Sequence, residues 1–548
     1  MILSTTFNFF IITILIGYSY LFKNLLNNKD NQIHNLDLLY GLIILIFLSL
    51  FLNFILPLNL FFYLIVTIGF FSFLRCFYKK KLKINLLYYF LIIFTFIIII
   101  YSHGENVDSP MYHHQIIKWL HNYKITLGLT NLEIRFGDNS LWFNFLSLLQ
   151  FKFKEFNSIH TLNIIPFSIL TYEIFKQKKT LSYLFLTLSL SFLFFFSYLH
   201  PFQNGIILNH LHNPEVDTIG MVFFIISFYL LLMYLEDKKK ETFHFLVLSS
   251  SICFFTKLSY IGVILFPILI IAIFYRKNLI KFLITKLNIF LLLFFILWLI
   301  KNFLLSGCFI FPLNFTCINV SWSPGVEEIE TYKNIVKSFA RDTRERLLYT
   351  DFNHTIHTFN WFMPWFKDYA LNTALLKISF FLIVSTSLFF FLLKRYTKIL
   401  TMGLNNYKIH LFVLIVLVIN LSIWFQVPEI RFGWGTIISF NCYLVSMLFF
   451  YNVFFKRINP HIIKYFAIFF LAILFFDNKK NLTIYNLLNP YITNANYSKI
   501  VKIYDLEGMG IYRSMNWKCY DFREICVNNV KNKYFLKKKN GYLIFTKY

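Results

Sequence analysis

The sequence predicts an all-α integral membrane protein of about fourteen transmembrane helices, with exported loops and a small C-terminal α+β tail. Three observations carry that expectation. Hydrophobic residues make up 58% of the 548 and charged residues 14%, too little polar material to cover a soluble body of that size. Apolar runs of about 17 to 24 residues recur, the length that crosses about 30 Å of hydrocarbon at a rise of about 1.5 Å per residue. Lysines and arginines gather in short connections between those runs.

The expected spans lie near 4–22, 38–57, 59–74, 84–101, 158–175, 181–198, 218–235, 242–257, 259–275, 281–304, 375–393, 409–426, 432–455 and 461–477. They group into a four-span bundle (1–101), a first exported loop with surface helices (102–157), a six-span core (158–304), an exported loop (305–374), a second four-span bundle (375–477) and a tail domain (478–548). The run 4–22 lacks a basic leader and a small-residue cleavage site, so it reads as a retained first span. SLWFNFLSLLQF (140–151) is too short to span. It is expected to lie flat on the outer surface on Trp142, Phe143, Phe145, Leu146, Leu149 and Phe151; as a short buried span it would invert every later loop. In the tail, TIYNLL and GYLIFTKY, bounded by Asn, Lys and Gly, predict strands.

A net charge of +26 could signal a nucleic-acid partner, but the location of the basic residues argues for membrane topology and no nucleic acid. Arg75, Lys79, Lys80, Lys81 and Lys83, then Lys176, Lys178 and Lys179, Lys238 to Lys240, Arg276, Lys277 and Lys281, Lys394, Arg395 and Lys398, and Lys456 and Arg457 all flank expected spans. The positive-inside rule places them in the cytoplasm, which puts the N-terminus, 102–157, 199–217 and 305–374 outside. The 305–374 loop holds seven acidic and six basic residues, the balance of an exported loop. Cys76, Cys253 and Cys442 lie in or beside spans, whereas Cys308 with Cys317 and Cys519 with Cys526 form local pairs. These suit two disulfides in an oxidising compartment such as a periplasm, or remain free thiols. No P-loop, GxGxxG or HExxH pattern is present, which leaves an ATP-driven pump without support.

Chemistry is expected in the polar interruption 102–138, which gathers Glu105, Asp108, His113, His114, Arg135 and Asp138. Ser109 followed by Pro110 predicts a helix start and a short helix over 110–122. Ile116, Ile117 and Leu120 would share a membrane-facing side, and Asp108 would sit just before the helix amides that stabilise a carboxylate. Simple capping is the competing explanation. The same face should gather His200, His210, His212, Glu215 and Asp217, together with Glu429 and Arg431. Ionisable groups at a membrane boundary are costly unless paired or useful. Arg431 in PEIRFGWG is suited to bidentate phosphate binding, or to snorkelling. Lys257 in FFTKLSY and Lys301 in WLIKNFLLSG could add positive charge to a pocket for an anion. The histidines lack zinc-motif spacing, so no metal site and no cofactor are expected, with a divalent metal left open.

These residues resemble the GT-C superfamily of integral membrane glycosyltransferases, in which the first large exported loop carries an acidic residue beside a short surface helix, then His or Tyr and an interfacial Trp. ENVDSPMYHHQIIKWL reads that way, with Asp108 in the acidic position. The run VDSPMYHHQIIKWLHNYKITLGLTNLEIRFGDNSLWFNF, with KNFLLSGCFIFPLNF, Trp322, PEIRFGWG and KCYDFREIC, is similar to bacterial membrane proteins related to GT-C enzymes and associated with surface polysaccharide. Four expected spans precede this loop, whereas the superfamily commonly places it after the first. The resemblance implies a bacterial inner-membrane enzyme that moves a sugar from a polyprenyl-phosphate donor to a glycan or lipid acceptor on the exported face. Asp108 would be the general base, with Glu215, Asp217 or Glu105 as other carboxylates. Arg431, Lys257, Lys301, His113, His114, Arg135 and His200 would bind substrate or its phosphate. A transporter or flippase for lipid-linked glycans, a glycan polymerase, and a structural partner of an assembly complex are the alternatives.

Overall fold

A computed structural model describes residues 1–26, 32–100, 108–153, 156–176, 180–199, 210–275, 285–341, 404–451 and 460–479, with parts of 356–379 and 500–547. The chain is mostly helical, because an apolar segment in lipid must satisfy its backbone internally. In order come α1 (Ile2–Leu25), α2 (Leu38–Ile55), α3 (Phe62–Tyr78), α4 (Leu86–Ile100), α5 (His114–Asn122), α6 (Leu129–Leu132) and α7 (Leu141–Leu148). Next are α8 (Ile164–Tyr172), α9 (Leu181–Leu199), α10 (Asp217–Asp237), α11 (Lys240–Thr256), α12 (Leu265–Phe274) and α13 (Lys286–Ser306). Then follow α14 (Val326–Arg341), α15 (Phe362–Pro364), α16 (Leu404–Phe425), α17 (Ile430–Tyr451) and α18 (Pro460–Lys479).

Seven helices among the described residues are long and apolar enough to cross a membrane, and five shorter apolar helices accompany them. The expected span 375–393 lies almost wholly outside the described residues. One apolar core runs from Met1 to Phe545. At its centre stands α10, packed against α9, α11 and α17, with 94% of its apolar window buried. At the periphery α3 turns Tyr63, Leu64, Phe71 and Phe77 outward, and α13 does the same with Leu292 and Leu293, as lipid-facing helices should. A Cβ on Gly17 would fall 1.9 Å from the Gly69 carbonyl oxygen, so the close crossing of α1 and α3 requires glycine there.

Polar ties close the basic end of the bundle. Lys23 of α1 pairs with Asp37 at 2.9 Å and with Glu241 of α11 at 3.2 Å, and Lys176 pairs with Glu173 at 2.7 Å. The Lys238–Lys240 connector follows the last residue of α10, so basic connectors lie at the opposite end of that helix from Asp217.

Two expectations about the first polar segment are corrected. Every residue of α7 is buried; Trp142 donates from its indole N–H to Asn163 Oδ1 at 2.7 Å, and the helix packs on α2 and α5 instead of lying on the membrane surface. Ile116, Ile117 and Leu120 of α5 are likewise buried against protein. An apolar stripe looks the same in sequence whether lipid or protein covers it. The helix also begins as a π-helical turn, Ser109–His113, with Asp108 at the cap position and no side-chain capping bond.

A short antiparallel pair, β1 (Lys152–Phe153) and β2 (Phe156–Asn157), follows α7, and the described part of the tail is built from further strands. β3 (Ile500–Leu506) and β4 (Met509–Ser514) pair antiparallel, β5 (Ile525–Val527) joins β4 in parallel, and β6 (Tyr534–Lys539) and β7 (Tyr542–Lys547) form a hairpin. β7 extends onto the first polar segment: Leu127 N–H donates to Leu543 O at 2.9 Å, and Phe545 N–H donates to Leu127 O at 3.0 Å. The tail therefore shares a face with that segment. Both local cysteine pairs, Cys308–Cys317 and Cys519–Cys526, are disulfides.

Candidate functional site

Where α10 and α17 begin, their N-termini approach closely. A Cβ on Gly435 would come within 2.9 Å of Phe224 Cβ, and the Gly435 N–H donates to the Tyr260 hydroxyl at 3.2 Å. Onto this floor converge the π-helical turn from the first polar segment, the 210–217 turn, Lys257 after α11, and the 426–431 turn. Helix ends leave backbone groups for polar partners, so the junction collects charge.

Arg431 is the hub. Its Nη1 lies 2.8 Å from Asp108 Oδ2 and 3.9 Å from Glu215 Oε1, and its Nε lies 3.6 Å from Glu429 Oε1. Beside it Lys257 pairs with Asp217 and lies 4.4 Å above the Phe432 ring, and His210 pairs with Glu215. Tyr369 fixes Glu429 by donating its hydroxyl to Oε1 at 3.2 Å while accepting the Ile430 N–H at 3.2 Å. Asn163 steadies the other wall, donating to the carbonyls of Asn213 at 2.6 Å and Glu215 at 3.1 Å.

Four carboxylates, Asp108, Glu215, Asp217 and Glu429, thus face two fixed cations, Arg431 and Lys257. Burial alone would raise the Asp108 carboxyl, but the Arg431 guanidinium and His113 hold it below the usual carboxylate range. Burial would lower His210, yet Glu215 reverses the effect and raises it, favouring imidazolium. Burial pushes His113 down to about 4. Exposure separates the carboxylates: the Asp108 side chain is 31% exposed, against 1% for Glu215 and 9% each for Asp217 and Glu429.

Next to this cluster Arg135 pairs with Glu133 at 2.9 Å and covers the Tyr112 ring at 4.7 Å. The Tyr332 hydroxyl of α14 donates to Asp138 Oδ2 at 2.7 Å, and burial raises the Asp138 carboxyl despite that bond. His114 is buried edge-on to His160 at 5.1 Å. Lys301 is placed apart: its ammonium donates to Asn144 Oδ1 of α7 at 2.6 Å, and it has no ion pair among the described residues. Glu105 and His200 lie outside the described residues. Among the described residues no set of three or more His, Cys, Asp or Glu side chains could hold a metal ion.

Tyr332, Tyr369 and Asn163 join the site without any signal in the sequence; each is one polar residue in a chain holding 34 tyrosines and many asparagines. Glu429, two residues before Arg431, was legible by proximity.

Fold and cluster together define a polytopic helical membrane protein with a charged junction at one end of its bundle. The chain belongs to the family described as "Domain of unknown function (DUF8201)", which matches residues 1–438. That match takes in every charged member of the cluster and ends before the tail. No curated protein and no solved structure matches the chain.

Proposed function

We propose that the protein is a membrane glycosyltransferase that moves a sugar from a polyprenyl-phosphate donor to a glycan or lipid acceptor, with Asp108 as general base. The observation that carries the reading is the Asp108–Arg431 pair at 2.8 Å, in which Asp108 is the most accessible carboxylate of the cluster. An ionised, oriented carboxylate facing solvent can take the acceptor hydroxyl proton as the acceptor oxygen attacks the anomeric carbon. The bond from that carbon to the carrier phosphate breaks, and the phosphate leaves with the electron pair. A positioned base contributes about 10² to 10⁴-fold. Arg431 serves first to keep Asp108 ionised, since its Nη1 and Nε are turned to carboxylates. It and Lys257 reach a departing phosphate by exchanging those partners for it.

The proposal includes a GT-C-like bundle of about fourteen spans in a bacterial inner membrane, with the cluster on the extracytoplasmic face. Basic connectors at the other end of α10 support that orientation. Purified protein in lipid, given polyprenyl-phosphate sugars, should form a new glycosidic product, and Asp108→Asn should abolish it at unchanged abundance. Full activity in that variant would remove Asp108 from the mechanism. The excess of carboxylates over cations favours one rival, a translocator of lipid-linked glycans that cycles protons or cations. Movement of the glycan across proteoliposomes with no new bond would decide for it.

A further inference from the structure

The π-helical turn that follows Asp108 has no side-chain cap at its N-terminus, and turns of that type are rare and found mostly at functional sites. The tail supports this one. Cys519 N–H donates to Pro110 O at 2.8 Å, two residues from Asp108. Cys526 N–H donates to Gln115 Oε1 at 3.4 Å, and the Lys118 ammonium donates to Phe522 O. Both ends of the Cys519–Cys526 bridge thereby hold the same two turns, 110–118. Cys526 is itself fixed in β5, opposite Tyr512 of β4, so the disulfide ties Cys519, and through it Pro110, to the three-stranded sheet.

The separate β6–β7 hairpin attaches the tail a second time. Tyr542 donates its hydroxyl to Phe54 O at 2.9 Å, and Asn131 donates to Phe545 O at 3.0 Å. Trp119 of α5 meets Phe545 at 5.9 Å between ring centroids. Both cysteines are almost fully buried, as expected of a packed contact and not of a loose appendage.

We infer that the C-terminal tail is a clamp that sets the position of the Asp108 turn against Arg431, with Gln115 and the Cys519–Cys526 bridge as its positioning residues. The clamp itself is independent of the reaction; its kinetic arm rests on the proposed glycosyltransferase reading. A purely structural tail would stabilise the whole bundle, whereas a clamp acts on one turn.

The test is amide hydrogen exchange on the full chain in lipid, comparing wild type with Cys519→Ser/Cys526→Ser and, separately, Gln115→Leu. In both variants amides of 109–118 should exchange roughly tenfold faster, the effect of losing one or two hydrogen bonds of ordinary net strength, while α10 and α17 stay unchanged. Unchanged exchange at 109–118, or an equal rise through the whole chain, overturns the clamp. In the transfer assay Gln115→Leu should lower kcat with KM unchanged. Local loosening without any transfer by wild type would sink the glycosyltransferase reading and leave the clamp standing; transfer with no local loosening would do the reverse.

Discussion

Replacing Arg431 with methionine removes the hub while keeping an unbranched side chain, and the structure sets the size of the effect. The 2.8 Å contact with Asp108 corresponds to roughly 6 kcal/mol of gross attraction at an effective dielectric of about 20. The contacts of 3.6 Å with Glu429 and 3.9 Å with Glu215 add roughly 4 to 5 kcal/mol each on the same basis. Desolvation of the ions and repulsion among the carboxylates cancel most of that sum. Removing one partner of a buried pair costs about 3 to 5 kcal/mol net. Exposure of 20% for Arg431 and 31% for Asp108 admits water, which lowers the expected loss to about 2 to 4 kcal/mol. Asp108→Asn should cost less, because Arg431 keeps two carboxylates. The double variant should lose about 1 to 3 kcal/mol less than the sum of the singles, the coupling expected of groups in contact. Reversible unfolding in mixed micelles by a denaturing detergent gives all four corners of the cycle. Strict additivity would refute the pairing and the argument built on it.

Three further outcomes follow from the same geometry. Between pH 6.5 and 4 the unfolded chain protonates His113 while the folded chain, with a value of about 4, does not, so its contribution is present above pH 6.5 and is lost as pH falls. The window is worth roughly 3 kcal/mol, and His113→Leu should flatten that part of the stability profile; an unaltered slope would contradict the burial of this ring beside Asp108, Asp217, Lys257 and Arg431. Tyr369→Phe deletes the hydroxyl that bridges Glu429 and the Ile430 N–H and should cost about 1 to 3 kcal/mol, read as a lower Tm. Lys301→Met leaves Asn144 Oδ1 buried without its donor and should destabilise by about 1 to 3 kcal/mol, whereas Lys301→Met/Asn144→Leu should recover near wild-type stability; failure of that rescue would point to a further partner for Lys301.

Much of this architecture could be read from the chain because its cause is local. A run such as 218–235 is apolar all round, and α10 occupies it at the centre of the bundle. The convergence of Asp108 with Arg431, 323 residues apart, is what the expected topology calls for: with basic connectors assigned to one side, the loops that carry both residues fall on the other. What could not be read depends on which surface meets which. α7 is as apolar as an interfacial helix, and its inward position follows from Trp142 finding Asn163. No sequence pattern shows that Arg431 is already surrounded by Asp108, Glu215 and Glu429, which makes pairing with carboxylates its first role. Lys301 resembled a site cation because its pairing with Asn144 belongs to packing between α7 and α13.

The most direct test of the account is cross-linking of Asp108→Cys with Arg431→Cys in native membranes by a short thiol-specific bifunctional reagent. A linked product in the paired variant, and none when either cysteine is present alone, is the predicted result. Reaction of the two cysteines from opposite sides of the membrane, with no link between them, would contradict the shared site.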